Sequence, residues 1–328
     1  MTIKRYIIGL SKAVAFCSFV MTGMTSCDYK DLIDGTELKN VTVQFAWEDV
    51  DSIPDAMRVA FYPADPATME SMPMGYTYYD MPKTIWPATV QLPIGIYHVT
   101  AWNNDTEHVL TEKYESQSTL NSTSPEYNPR GSFDTPALLD SIYNGQKVLD
   151  YPDYMVHANT VDYEVLKGSE MKKLTLQPDS MVVAVDYKIH GIGGLSWVKQ
   201  IRGAINNVAG RRYIAYDNRT EEPVAVMFDC QYNEEDSLVY GSFYIFGIEP
   251  TETKNLTHKM VLFFWMNEGK VYLPIDVTKA VKTYRQENKK ILIDIPSLGI
   301  DLRDFISSKN TFEVDLEEWS DVNIDVGF

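Results

Sequence analysis

Val41-Thr42-Val43-Gln44-Phe45-Ala46-Trp47 alternates. Val41, Val43, Phe45 and Trp47 fall on one side of an extended chain, with Thr42 and Gln44 on the other. Successive side chains of a strand point to opposite faces, so this spacing predicts a strand with one buried face. The same reading extends outward. Val59-Ala60-Phe61-Tyr62 halts at Pro63, as an extended segment before proline does. Residues 88–92, the turn Pro93-Ile94-Gly95 and residues 96–102 predict strand, turn, strand, and Asn103-Asn104-Asp105-Thr106 predicts the next turn. Residues 114–133, rich in Ser, Thr, Asn, Pro and Gly, predict a long surface loop. Thr135-Pro136, with Leu138, Leu139 and Ile142 before Asn144-Gly145, predicts a short helix. Residues 160–166 and 171–176 return to strand.

A second unit begins at Pro178. Met181, Val183, Val185, Tyr187 and Ile189 alternate with Asp186, Lys188 and His190 before the turn Gly191-Ile192-Gly193-Gly194. Segments 197–205, 213–216, 224–228 and 238–248 follow at sandwich-like spacing. Residues 261–266 and 271–277 flank Asn267-Glu268-Gly269-Lys270, a hairpin signal. Val277, Ala280, Val281 and Tyr284 have helical spacing. At the end Phe312, Val314 and Leu316 alternate with Glu313, Asp315 and Glu317, and Val322, Ile324 and Val326 repeat the pattern. No fixed-period repeat is present, although two units of similar strand content are expected to be related sandwiches.

Upstream of these strands, Lys4, Arg5 and Lys12 precede an apolar run from Ala13 to Met21 and small residues ending in Met24-Thr25-Ser26-Cys27. That is the layout of a secretory signal peptide over residues 1–26. The run is shorter than the roughly 20 apolar residues that cross a bilayer core. A cysteine directly after Thr25-Ser26 resembles the bacterial lipobox, in which the thiol is acylated with palmitate-type chains and the chain is cut just before it. Residues 27–40 then form a lipidated leader. Its acids Asp28 and Asp31, split by Tyr29 and Lys30, resemble the signal that sends Bacteroidetes lipoproteins to the outer cell surface.

From Cys27 to Phe328 there are 302 residues, enough for two domains of ordinary size. The chain is 45% hydrophobic and 23% charged, a composition that buries cores. Three of its 29 basic residues leave with the signal and none of its 46 acidic ones does, so 26 basic residues face 46 acidic ones and the mature net charge is −20. This disfavours nucleic acid, whose binding is dominated by phosphate neutralisation. With Cys17 in the signal and Cys27 acylated, Cys230 has no partner for a disulfide.

Residues able to do chemistry are scattered. His98, His108, His157, His190 and His258 show no metal-ligand spacing, and no metal or cofactor is expected. There is no nucleophile elbow, P-loop or EF-hand loop. Adjacent acids such as Glu317-Glu318 and Glu234-Glu235 point to opposite faces of a strand and cannot flank one glycosidic bond. Asn103, Asn104, Asp105 and Glu107 offer oxygens suited to calcium but read better as a turn. Cys230 reads as a buried thiol. Among the 21 tyrosines, Tyr76-Thr77-Tyr78-Tyr79 is the group a loop could display to a sugar ring. Asp-Ser followed by an aliphatic residue or Met recurs at Ser52, Ser141, Ser180 and Ser237, which resembles the O-glycosylation site of Bacteroidetes secreted proteins.

Several pieces together resemble one family. They are the lipobox; Val43-Gln44-Phe45-Ala46-Trp47 and Val59-Ala60-Phe61-Tyr62-Pro63; Leu92-Pro93-Ile94-Gly95-Ile96-Tyr97-His98-Val99 running into Ala101-Trp102-Asn103-Asn104-Asp105-Thr106-Glu107; and Glu317-Glu318-Trp319-Ser320-Asp321-Val322. The family is one of Bacteroidetes lipoproteins associated with the fimbrillin-like superfamily, including FimB-type minor and anchor subunits of type V pili. The resemblance implies an all-β chain of two tandem transthyretin-like β-sandwich domains, 41–177 and 178–328, and no enzymatic activity. It also implies partners: fimbrillin-like subunits joined by strand addition. Stalk subunits of that superfamily are cut after an arginine to release a first strand, but no arginine lies between Cys27 and Val41. An outer-membrane lipoprotein exposed at the cell surface, serving as anchor or accessory subunit of a fimbria-like adhesive structure, is therefore expected. Val41, Val43, Phe45, Trp47, Phe312, Val314 and Leu316 are the candidates for strand exchange. The alternative is a glycan-binding surface lipoprotein of a polysaccharide-uptake system; a hydrolase is the third.

Overall fold

The computed structural model describes residues 37–307 apart from 73–74, 129–142, 144, 169–171, 216–222, 249–255, 268 and 288–289. Cys27, Ser141, the expected helix at 135–142 and the alternating run with Phe312, Val314 and Leu316 lie outside the described residues.

The first unit contains β1 (Leu38–Phe45), β2 (Ala56–Pro63), β3 (Thr77–Pro82), β4 (Ala88–Pro93) and β5 (Gly95–Asn103). An excursion follows with β6 (Leu110–Glu112), β7 (Asn121–Thr123) and β8 (Val148–Asp150), before β9 (Val156–Val165), β10 (Lys172–Leu176) and β11 (Asp179–Ser180). The second unit contains β12 (Val183–Ile189), β13 (Ile192–Gly193), β14 (Val198–Ala209), β15 (Arg211–Tyr213), β16 (Pro223–Asp229) and β17 (Gln231–Asn233). It continues through β18 (Leu238–Ile245), β19 (Lys259–Met266), β20 (Lys270–Asp276), β21 (Lys290–Ile295) and β22 (Ile300–Asp301), with a helix at Thr278–Glu287.

The opening alternation becomes β1, with Val41 and Val43 fully buried. β1 is the middle strand of a sheet ordered β10-β1-β4, parallel to β10 and antiparallel to β4. Its apolar side faces a sheet ordered β11-β9-β5-β2-β3, and Val41, Val43, Val90 and Leu174 meet Val59, Phe61, Val99 and Val156 in one core. This is a sandwich. In the second unit Val185, Ile189, Phe243 and Ile291 meet Ile201, Ile205, Phe228, Leu262 and Leu273 between the sheets β17-β18-β12-β21 and β20-β19-β14-β16-β8.

The connectivity repeats. β12 lies between β18 and β21 as β1 lies between β4 and β10. The facing strands β20-β19-β14-β16 reproduce β9-β5-β2-β3, each pair antiparallel in both units. Seven strands thus recur in the same order and direction. What repeats is strand order and alternation rather than residue identity, and no period shows in the sequence.

Two segments depart from expectation. Residues 114–133 predict a surface loop, yet Leu120, Asn121 and Ser122 are fully buried and β7 pairs with β6 and β15. Residues 148–150, placed with the N-terminal sandwich from the sequence, instead pair as β8 with β16 and send Leu149 into the second core. The reason is a surface that local pattern cannot reveal. The outer faces of both large sheets carry apolar residues, and the excursion covers them. Ala60, Tyr62 and Trp102 meet Leu120, Met155, Met181, Ala209, Ile214 and Phe246 in a core between the sandwiches.

Candidate functional site

The strand-exchange residues come first. Val41 and Val43 lie in β1, which is paired on both edges and has no room beside it for another strand. Phe45 and Trp47 end that side and pack on Trp86, with ring centroids 5.2 Å apart in each case. Among the described residues the longer strands at sheet edges are instead β3, β4, β10, β20 and β21. The Tyr79 hydroxyl occupies part of the β4 edge by donating to the Gln91 carbonyl at 2.5 Å. β21 buries Ile291, Ile293 and Ile295 inward and leaves Leu292 63% exposed.

The turn residues with calcium-like oxygens are used internally. Asp105 accepts from the Asp55 backbone N–H at 2.7 Å and from Asn103 Nδ2 at 2.8 Å, and the Asn103 side-chain oxygen accepts from the Val156 N–H at 2.8 Å. These bonds tie the end of β5 to the start of β9. Among the described residues no three His, Cys, Asp or Glu side chains are placed to hold a metal ion. Cys230 touches Tyr187, and burial pushes its thiol up to about 12, far from a reactive thiolate. Ser52 is exposed, Ser237 sits half-buried at a positive φ of 51°, and the Ser180 hydroxyl donates to the Val182 carbonyl at 2.8 Å.

Tyr76-Thr77-Tyr78-Tyr79 leads into and joins an edge strand instead of a loop. Tyr76 stacks on Tyr62 with centroids 5.6 Å apart and on Tyr78 at 6.3 Å. The Arg58 guanidinium lies 4.4 Å from the Tyr78 ring centroid, held by Asp80 through hydrogen bonds of 2.6 and 2.8 Å. One face of the exposed tyrosine is already covered by a cation.

A second aromatic and polar surface escapes sequence reasoning. On the outer face of the β14–β16–β19 sheet, Arg202 Nε lies 3.3 Å from Asp229 and its guanidinium donates to the Tyr127 hydroxyl from the excursion. Beside this pair opens a cleft of about 70 Å³ lined also by His108, Asp150 and Tyr151. His108 stacks on Tyr151 at 6.2 Å and lies 3.1 Å from Asp153, whose carboxyl is held below its usual range, against the burial that opposes it, by the backbone N–H groups of Glu107 and His108. The contributing residues lie up to about 120 positions apart (His108 to Asp229), and only the return of the excursion brings them together.

Two seven-strand sandwiches in tandem are a fold shared with solved structures from the Bacteroidetes. A crystal structure described as a "putative adhesin" from Bacteroides ovatus superposes with TM-score 0.61 at 18% identity, covering 84% of this chain and 98% of that one. The fimbrial anchor protein Mfa2 from Porphyromonas gingivalis is more distant, with TM-score 0.44 at 12% identity over 79% of this chain and 88% of that one. Residues 26–229 match the family described as Domain of unknown function (DUF5119), and the chain belongs to that family. The match runs from the residue before Cys27 to the last residue of β16. No curated protein matches the chain.

Proposed function

We propose that this protein is the anchor or an accessory subunit of a fimbria-like adhesive structure, held in the outer membrane by acyl chains on Cys27 and exposed at the cell surface. The observation that carries this reading is β1 seated between β4 and β10 with Val41 and Val43 fully buried. A sandwich whose first strand is in place offers no vacant groove to an incoming strand, which suits the membrane-proximal end of an assembly. Joining to a fimbrillin-like neighbour would then use an open edge such as β21, or donation of the run with Phe312, Val314 and Leu316. In either case main-chain hydrogen bonds supply affinity and alternate side chains supply specificity. O-glycosylation at the Asp-Ser sites belongs to the same reading, with Ser52 the most accessible of the described ones.

Crosslinking the intact protein in its native membrane, followed by pull-down, tests the assembly. Fimbrillin-like subunits are the expected catch, and recovery of a sugar importer would replace this reading with its rival. Cys27→Ala protein should leave the membrane fraction; equal retention of variant and wild type would end the anchor proposal. The intact mass of the purified protein reads both acyl chains and glycans.

A further inference from the structure

We infer that the outer face of the second sandwich carries a binding site for a neutral saccharide, formed by the Trp265 indole and the cleft beside the Arg202–Asp229 pair. The alternation of the strands places the parts. Ile201, Phe228, Phe264 and Met266 point into the core, so Gln200, Arg202, Asp229 and Trp265 point out. Trp265 lies opposite Gln200 on one side and Lys270 on the other, and Arg202 lies opposite Asp229. Trp265 and Arg202 are diagonal neighbours across β14 and β19, with backbones about 7–8 Å apart.

The chemistry of the patch is that of a ligand site: aromatic surface with a few fixed polar groups. Trp265 is 37% exposed. The polar groups are held before any ligand arrives. Arg202 is fixed by Asp229 and the Tyr127 hydroxyl, and His108 by Asp153 and the Tyr151 ring. Preorganised groups lose little freedom on binding. Charge selects the ligand class. The cations Arg202 and Lys270 are equalled by the anions Asp229 and Asp150. A balanced patch favours neither an anion nor a cation. Planar carboxylate, guanidinium and amide groups beside an indole suit a ligand that has an apolar ring face and hydroxyls at its rim. The 70 Å³ cleft takes the edge of one ring, so a longer chain would run out across Trp265.

This inference is independent of the fimbrial reading and is tested on the mature protein alone. Native gels cast with starch, mannan or laminarin, all neutral, or with anionic polygalacturonate, measure retardation directly. At least one neutral polysaccharide should retard the wild type. Trp265→Ala, whose side chain is exposed, should weaken that binding about tenfold, the loss expected from one aromatic contact. Gln200→Ala should weaken it in the same direction, and Tyr78→Ala on the first sandwich should leave it unchanged. Retardation by polygalacturonate alone, by none of the four, or equally for wild type and Trp265→Ala would overturn the proposal.

Discussion

His157 shows how far one side chain can depart from what its sequence neighbours suggest. It lies in β9 among alternating residues, 8% exposed, with Nδ1 2.8 Å from the Ile214 carbonyl and Arg212 nearby. Burial first, and then the Arg212 charge, lower its pKa to about 4. The unfolded chain holds a histidine near 6.5, so the unfolded state binds the extra proton between those values. Stability from this group is complete above about pH 6.5 and lost as pH falls towards 4, by about 3 kcal/mol in all. Carboxylates titrate over the same range, so the measurement is the difference in urea unfolding free energy between wild type and His157→Gln at several pH values. That difference should shrink by about 3 kcal/mol from pH 7 to pH 4. A difference independent of pH would show that the imidazole is not held neutral. Nothing in Val156-His157-Ala158 announces this, because its partners Arg212 and Ile214 come from the other sandwich.

Strands were legible one at a time wherever one face was buried and the other wet. β1, β4 and β12 appear where alternation places them, since a period of two is intrinsic to the extended chain. Residues 290–295 alternate as regularly and become β21, with Ile291, Ile293 and Ile295 inward. β3 is obscured because Tyr78 and Tyr79 put large rings on opposite faces. β8 is the element no local signal could place. Three residues are too few for a period, and Leu149 is 3% exposed only because β16 lies beside it. Leu149→Ala should therefore destabilise the second sandwich by about 2–5 kcal/mol, as deletion of a core leucine does. Denaturant titration measures the loss. A change under about 0.5 kcal/mol, as at a surface position, would mean that β8 only rests on the sheet.

For the whole molecule, the excursion turns two sandwiches into one body. Ala60, Tyr62 and Trp102 of the first share a core with Ala209, Ile214 and Phe246 of the second, and the buried Arg212 donates to the Met181 carbonyl in the connector. Shared burial couples their unfolding, so calorimetry should record a single cooperative transition. Two resolved transitions would show that each sandwich stands alone. Alternation, turn residues and proline stops were enough to fix an all-β chain, since each depends on geometry within a few residues. The seven-strand order of each sandwich, the central position of β1 and the gathering of Trp265, Arg202, Asp229 and His108 on one face were decided by the tertiary structure. Those features depend on which distant apolar faces bury each other, and a linear sequence carries that only as a possibility among many.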